Sequence, residues 1–164
     1  APHNGALVLD GKSASARWLP EQIDLPDGPF TVEAWIRPDD LRGRRGVVAR
    51  AQDSEFGLFA SDGIASFAVF LGERYATAKS DKGALRTGAW QHLAGVFDGT
   101  EVRVYVDGAL VGKVAGQGAR KPNRLPLFVG ADTTAKGKPG SFFAGLVDDV
   151  RVSKQARYRG ERFT

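Results

Sequence analysis

The stretch WQHLAGVFDGTEVRVYVDGALVG, residues 90–112, joins runs of alternating apolar residues through two Asp-Gly dipeptides. Glycine accepts the positive φ that a two-residue hairpin turn requires, so Asp98-Gly99 and Asp107-Gly108 predict two tight turns. Between those turns valine occupies every second position from 102 to 106, which is the pattern of a strand with one buried face. The stretch therefore predicts three antiparallel strands in a meander.

The same signals recur along the rest of the 164-residue chain, where short apolar runs alternate with Gly, Pro and charged residues. Further strands are predicted at 6–10, 30–37, 47–50, 55–60, 64–71, 75–79, 127–130 and 142–152. So many short strands must pack as two sheets or close into a barrel, because a single open sheet leaves one apolar face in water. Since no linker divides the sequence, we expect one domain, residues 1–164, with an all-β, two-sheet antiparallel sandwich fold.

The composition excludes several classes of protein. A hydrophobic fraction of 42% and a charged fraction of 26% are typical of a globular chain, and no apolar run reaches the roughly 20 residues of a membrane helix. Cysteine is absent and histidine occurs twice, so disulfides are excluded and any metal must be held by oxygen. We expect no membrane insertion and, without the aromatic platform of RNA-binding sheets, no specific nucleic-acid binding.

Three motifs follow one another along the chain: FTVEAWIRP at 30–38, the meander at 90–112 and FAGLVDDVRVSKQARY at 143–158. Together they resemble the laminin-G-like jellyroll domains of the concanavalin A-like lectin/glucanase superfamily. The resemblance implies a jellyroll in which the first strand, 6–10, lies beside the last strand, 143–152. It also implies a secreted or cell-surface location.

The resemblance further implies a structural calcium ion near the junction of the first and last strands, held by Asp10 and by Asp148 or Asp149. A separate argument concerns Asp148: if residues 146, 150 and 152 face the core, strict alternation turns Asp148 inward and Asp149 outward. An inward carboxylate is costly unless it is paired, hydrogen-bonded or bound to a cation such as calcium. Two explanations stay open, a calcium ligand or a carboxylate that accepts backbone N–H bonds or pairs with an arginine.

A sugar-binding site needs an aromatic face to stack on the ring, with polar side chains beside it to bond the hydroxyl groups. The predicted ligand-binding residues are Tyr75 with Arg74, and Phe142 with Asn123 and Asp132 in neighbouring loops; Phe56 beside Glu55 also has this composition. The alternative at each place is an apolar residue that packs at the end of a strand. His92 likewise is either a ligand contact or a packed, hydrogen-bonded histidine, and its position within a strand favours the packed one.

Catalytic motifs are absent from the sequence. The glucanases of the superfamily that the chain resembles carry paired carboxylates in an E-x-D-x-x-E signature, which does not occur here. Glu101 and Asp107 would lie roughly 20 Å apart along a strand, too far to flank one glycosidic bond. No nucleophile elbow, P-loop or H-E-x-x-H motif is present either. We therefore expect no enzymatic activity.

The resemblance and the missing catalytic motifs predict a non-catalytic extracellular binding module for carbohydrate recognition or adhesion. Basic residues cluster at 42–50, 113–124 and 151–162, which makes an acidic glycan the first class of ligand to expect. The alternative is a structural or assembly domain that binds an extracellular protein in a surface layer, a filament or a larger secreted protein. In that case the polar tail from Lys154 to Phe163 would be a contact surface.

Overall fold

A computed structural model describes residues 5–164, which form two antiparallel sheets of six strands each, packed face to face. The strands are β1 (Leu7–Asp10), β2 (Ala16–Trp18), β3 (Phe30–Asp40), β4 (Gly46–Ala49), β5 (Phe56–Ser61), β6 (Ile64–Leu71), β7 (Arg74–Lys79), β8 (Gln91–Phe97), β9 (Glu101–Val106), β10 (Ala109–Ala115), β11 (Leu127–Val129), β12 (Asp132–Thr133), β13 (Pro139–Gly140) and β14 (Ala144–Ser153). The helical content of the described residues is a single 3₁₀ turn at Pro20–Gln22. None of them belongs to a helix long and apolar enough to cross a membrane.

The strand order confirms the predicted jellyroll sandwich. The first sheet runs β1-β14-β3-β8-β9-β10 and the second runs β2-β11-β4-β5-β6-β7, with β12 and β13 forming a separate two-stranded ladder. The first and last strands are neighbours, as the resemblance implied, because Leu7 of β1 lies opposite Val147 of β14. Strands β2, β12 and β13 were not predicted, since each has only two or three residues and shows no alternation.

The core lies between the sheets and is centred on Phe30 of β3. Its ring is 5.1 Å from that of Phe56, 5.8 Å from that of Phe67 and 6.1 Å from that of Phe97, measured between centroids. All four rings are almost completely buried. Gly95 permits this packing, because a Cβ at that position would stand 2.2 Å from the ring of Phe67. Apolar burial of this kind is the main favourable term in the stability of a sandwich.

Two Asp-Gly dipeptides form two-residue hairpin turns, whereas at Asp98-Gly99, between β8 and β9, positive φ occurs at Gly99 and not at Asp98. Asp62 and Gly63 adopt φ angles of 53° and 78° between β5 and β6, and Asp107 and Gly108 adopt 49° and 76° between β9 and β10. Positive φ at both central residues is the geometry of the turn whose twist matches that of the flanking strands. These turns fix the register of β5 on β6 and of β9 on β10.

The outer face of the first sheet is covered by the end of the chain, residues 154–164, which we call the C-terminal segment. The Tyr105 hydroxyl donates a hydrogen bond to the Gly160 carbonyl at 3.1 Å, and the Phe163 N–H donates to the Gly108 carbonyl at 2.8 Å. No helical turn forms in this segment. The alternative function gave this tail as a contact surface for a partner protein; in the structure it contacts the chain's own sheet.

Strand β3 has buried side chains on both faces, because the second sheet covers one face and the C-terminal segment covers the other. Phe30 and the alternate residues after it face the core, as expected, but Thr31 and Glu33 on the opposite face are also buried. The alternation of apolar and polar residues from 30 to 37 predicts a strand with one buried face, and this prediction is wrong. The Thr31 hydroxyl donates to the Gln155 carbonyl at 2.8 Å, which satisfies a polar group that burial would otherwise make costly.

A β-bulge interrupts β14 between residues 148 and 151. Asp149 adopts a φ of 48° there, and the strand changes face. Before the bulge Val147 is buried in the core, within it Val150 is exposed, and after it Val152 packs against the core. The prediction that strict alternation turns Asp148 toward the core is therefore wrong, because its neighbour Val147 occupies the inward position.

Candidate functional site

The outer face of the second sheet is not covered by the C-terminal segment, and its side chains come from alternate positions of three strands. Phe59 of β5 lies opposite Ser66 of β6, which lies opposite Lys79 of β7. The next row pairs Ala68 with Thr77. Because successive residues of a strand point to opposite faces, these residues share one surface while their neighbours enter the core. Phe59 is almost completely buried, so the accessible part of this surface consists of hydroxyl groups, small apolar side chains and the Lys79 cation.

A cavity of about 380 Å³, here called the central cavity, lies on this face. Its volume falls within the range of roughly 300–1,000 Å³ that is typical of ligand sites. The side chains that give it chemical character are those of Arg44, Phe59, Asp62, Ser66, Tyr75, Thr77 and Lys79. The partly exposed aromatic side chain of this lining is Tyr75. An aromatic ring with hydroxyl and charged groups around it is the chemistry that recognises a sugar ring.

Tyr75 is held in place on one side of the central cavity. Its hydroxyl donates to the Ser54 carbonyl at 3.0 Å and accepts from the Ser54 N–H at 3.3 Å. Its ring meets that of Phe70 edge-on, with centroids 4.9 Å apart. Burial raises the pKa of Tyr75 above its usual value. The side chain is thus a neutral, oriented aromatic group.

Arg44 is held on the other side of the central cavity. Its guanidinium carbon lies 4.0 Å from the centroid of the Phe59 ring, and Nη2 donates to Oδ2 of Asp132 at 3.0 Å. Asp132 is buried, and burial raises its pKa although Arg44 and two backbone N–H groups oppose the rise. More than half of the Arg44 side chain remains exposed, so a positioned guanidinium faces the cavity.

The structure places the predicted ligand-binding residues in different surroundings. Tyr75 lines the central cavity, and Arg74 is exposed at the start of the same strand. Asn123 lies behind the cavity wall, where its Nδ2 donates to Oγ of Ser54 at 2.9 Å and to a backbone carbonyl. Phe142 is half-buried and lines none of the cavities described here. Asp132, the third member of that predicted group, lines a cavity beside the β12–β13 ladder. The role of these residues as ligand contacts stays a prediction.

The pair Phe56 and Glu55 is also not a sugar site. Phe56 belongs to the core. Glu55 is buried and accepts hydrogen bonds from Arg50 at 2.6 Å and from Arg120, so it fixes two loops to each other. A carboxylate this enclosed by two guanidinium groups is a structural element, because removal of one partner would leave an unpaired buried charge.

His92 lies under the C-terminal segment and is packed, as we expected. Its Nε2 is 3.5 Å from Oε2 of Glu33, and its ring packs edge-on against that of Trp35. Burial favours a higher pKa for Glu33, but hydrogen bonds from His92 and Tyr158 outweigh burial and lower the pKa. This polar cluster belongs to the covered face and not to the open one.

The aspartates predicted to hold calcium do not converge. Asp10 lies opposite Ala144, so Asp148 is four positions further along the strand, about 13 Å away at about 3.3 Å per residue. Oδ1 of Asp10 accepts hydrogen bonds from the N–H groups of residues 12, 13 and 14, which hold the Asp10 pKa well below its usual value. Asp10 therefore caps its own turn.

Asp148 and Asp149 occupy the bulge of β14. Oδ1 of Asp148 accepts the Asp149 N–H at 2.8 Å, and Oδ2 is buried without a hydrogen-bond partner. Within residues 5–164 no three acidic or histidine side chains are grouped as metal ligands would be. One orphaned oxygen does not meet calcium's need for many oxygen ligands. The residues do not fit the ligand set that we predicted, and calcium binding stays a prediction.

A second feature of the surface is apolar. In the described part of the chain, five of the six exposed large apolar side chains lie on or beside β1, β2 and the bulge of β14: Leu7, Val8, Trp18, Leu19 and Val150. Strands β1 and β2 are the free edges of the two sheets on the same side of the sandwich. We call this surface the apolar edge. A cavity of about 290 Å³ opens there beside Trp18.

Comparison with known proteins gives the same fold. A family model described as the concanavalin A-like lectin/glucanases superfamily matches residues 10–161. Domains LG4-5 of the mouse laminin alpha1 chain are similar over 95% of this chain, with a TM-score of 0.72 and 21% identity. The chain spans 44% of that laminin structure. No curated protein sequence gives a significant match.

Two bacterial structures are also similar. Domain 4 of AbnA, an extracellular GH43 arabinanase of Geobacillus stearothermophilus, was solved with arabinotriose; it is 21% identical with a TM-score of 0.68, over 92% of this chain and 71% of that one. The CBM40 of the Ruminococcus gnavus IT-sialidase, solved with alpha2,3 sialyllactose, is 15% identical with a TM-score of 0.63, over 82% and 79%. At these identities the likeness shows the fold alone.

Proposed function

The chain belongs to the concanavalin A-like lectin/glucanase superfamily, and on this premise we propose that it is a non-catalytic extracellular module that binds carbohydrate on the outer face of its second sheet. The observation that carries the proposal is the difference between the two outer faces. The C-terminal segment covers the first sheet, whereas the second sheet presents the central cavity with Tyr75 and Arg44 already held in position. Groups that are fixed before binding lose little conformational entropy when a ligand arrives.

The charges around the central cavity favour an acidic glycan. Arg44 and Lys79 line it, and Arg74 is exposed beside it. Asp62 is the acidic residue of the lining, and its Oδ1 accepts the Gly43 N–H at 2.8 Å. Cations within hydrogen-bond reach of a carboxylate or sulfate form the stronger, charge-assisted class of hydrogen bond. The two bacterial relatives were solved with sugars, one of them the sialylated ligand sialyllactose, which supports this class of ligand.

The test is a panel of neutral and acidic glycans, probed with the purified chain and with two charge-matched variants. Lys79→Ala removes a cation from the central cavity, and Arg159→Ala removes an exposed cation from the C-terminal segment. We expect saturable binding to an acidic class, weakened about tenfold by Lys79→Ala because a charge-assisted bond is lost, and unchanged by Arg159→Ala. Equal effects of the two variants, or binding that fades with salt for every acidic polymer, would refute the proposal.

The apolar edge favours a second candidate, a domain that docks on an extracellular protein. Val8 is 73% exposed on β1, whose outer backbone edge pairs with no strand within residues 5–164. Exposed edges bind further strands, and large exposed apolar patches mark interfaces. Val8→Lys would abolish such docking without touching the central cavity. If Val8→Lys leaves glycan binding intact and removes binding to a partner, both functions are present; if it changes nothing, the docking function falls.

A further inference from the structure

The central cavity is one part of a longer groove. It shares Tyr75, Thr77 and Lys79 with a cavity of about 610 Å³ at the β7 edge, which we call the edge cavity. It shares Arg44 and Ala51 with a cavity of about 310 Å³ beside the β12–β13 ladder, which we call the hairpin cavity. Because each shared residue lines two cavities, the three cavities are adjacent along one face, and together they make up the groove.

The groove runs across the strands. The hairpin cavity begins beyond β4, the central cavity lies over β5 and β6, and the edge cavity lies beyond β7. Neighbouring strands are about 4.8 Å apart, so the three spacings from β4 to β7 already measure about 14 Å, and the groove extends past both. A single sugar ring fills only part of that length.

The two ends of the groove are bordered by accessible side chains. At the edge cavity these belong to Arg74 and Gln117, and at the hairpin cavity to Thr134 and Gln52. Arg74, Gln117 and Thr134 are exposed and Gln52 is half-buried. A site for the terminal sugar of a chain needs a wall that stops the chain, whereas exposed residues at both ends let a polymer pass.

We infer that the groove binds an internal stretch of a linear glycan, at least three sugar units long, with one unit in each cavity. The inference rests on the proposed function and adds the length of the ligand and the mode of recognition. Arg44 and Lys79 mark the two boundaries between cavities, so they are placed to bond groups on adjacent units. The ion pair with Asp132 and the contact with Phe59 hold Arg44 at its boundary.

The experiment measures the dissociation constant against chain length by calorimetry. The probes are two ladders of one to six units, linear oligogalacturonates as the anionic series and linear arabino-oligosaccharides as the neutral one. We expect affinity to rise at least tenfold from one unit to three in the ladder that binds, and blocking of either terminal sugar of the hexamer to leave binding unchanged. Affinity that is independent of length, or lost when one terminus is blocked, would overturn this inference and leave the proposed function standing.

Two variants locate the ends of the groove. Gln52→Ala changes the hairpin cavity and Gln117→Ala changes the edge cavity, and neither side chain makes a hydrogen bond within the described structure. Each is expected to weaken binding of the trimer about fivefold, for one lost hydrogen bond, and to leave binding of a single sugar unchanged. If no probe binds at any length, the proposed function and this inference are both overturned. Binding that does not depend on length overturns only this inference, so the two outcomes are distinguishable.

Discussion

The ring of Phe163 stacks face to face on the ring of Tyr158, with the centroids 3.5 Å apart and the planes 6° from parallel. The Tyr158 hydroxyl in turn donates a hydrogen bond to the buried Glu33 carboxylate. The last aromatic residue of the chain is thereby linked to a charge in the middle of β3. This link explains why the C-terminal segment lies on the first sheet instead of extending into solvent.

Phe163→Ala should therefore destabilise the fold. Loss of the stack with Tyr158 and of the contact with Tyr105 is expected to lower the free energy of unfolding by about 1–3 kcal/mol, measured by urea denaturation. Arg159→Ala in the same segment is the control, because that side chain is exposed and its loss should change stability by less than about 0.5 kcal/mol. Equal stabilities of the two variants would mean that the segment does not stabilise the sheet.

Asp98 should make stability depend on pH. Burial favours a higher pKa for Asp98, but hydrogen bonds from the Thr100 and Glu101 N–H groups outweigh burial and lower the pKa from 3.8 to about 2. A carboxyl group whose pKa is lowered by folding stabilises the fold above its unfolded pKa, and this contribution disappears as the pH falls through the folded pKa. The window for Asp98 is therefore between about pH 4 and pH 2.

The measurement compares urea unfolding of the wild type and Asp98→Asn between pH 5 and pH 2. The variant should be less stable by about 2 kcal/mol at pH 5, and the difference should shrink toward zero at pH 2. Asp81→Asn serves as the control, because Asp81 is exposed and its carboxylate makes no hydrogen bond in the described structure. A difference between wild type and Asp98→Asn that does not change with pH would contradict the role given to the charge.

Gly112 controls how closely β10 approaches β7. A Cβ at this position would stand 2.1 Å from the Lys79 carbonyl oxygen, so Gly112→Ala must push the two sheet edges apart. We expect a loss of about 1–3 kcal/mol in the free energy of unfolding, as for other overpacked sites. The matched control is Gly140→Ala, where the nearest atom would be Cγ2 of Thr134 at 3.4 Å. Similar losses at both positions would show that the approach of β10 to β7 is not constrained.

Calcium is tested by thermal melting in calcium chloride and in a chelator. Because Asp10 accepts backbone N–H bonds of its own turn, Asp10→Ala should lower the Tm by the same amount in both conditions. Asp148→Asn probes the orphaned Oδ2. If that oxygen ligates the ion, this variant should lower the Tm in calcium chloride but not in the chelator. A calcium-dependent effect of Asp10→Ala would instead show that Asp10 is a ligand and that it moves toward the ion on binding.

The sequence predicted the fold well wherever local signals coincided. In residues 90–112 alternation and Asp-Gly turns indicate the same strands, and the structure has β8, β9 and β10 there. Strict alternation failed at the bulge of β14, because the bulge inserts one extra residue, so that Val147 before it and Val152 after it both face the core. Nothing in the local composition of Asp148-Asp149 distinguishes a bulge from a regular strand.

The site was harder to predict than the fold. The sequence singled out Tyr75 and the basic cluster at 42–50, which contains Arg44. Phe59 and Lys79 were not singled out, since they lie in separate strands that only strand pairing brings together. The available signal was alternation continued over β5, β6 and β7, which places the hydroxyl-bearing and aromatic positions on one face. Register between strands determines which of those positions become neighbours, and no single strand contains that information.

The C-terminal segment, by covering the first sheet, also limits the number of binding faces on one copy of the chain. With the C-terminal segment on the first sheet, the proposed function would leave a single copy one broad face for a polysaccharide, so one copy would not cross-link two polymer strands through its two sheets. Retention on an extended polymer would then depend on several copies held together, because linked modules rebind at an effective local concentration far above that in solution. Stronger attachment would come from the number of copies and the distance between them.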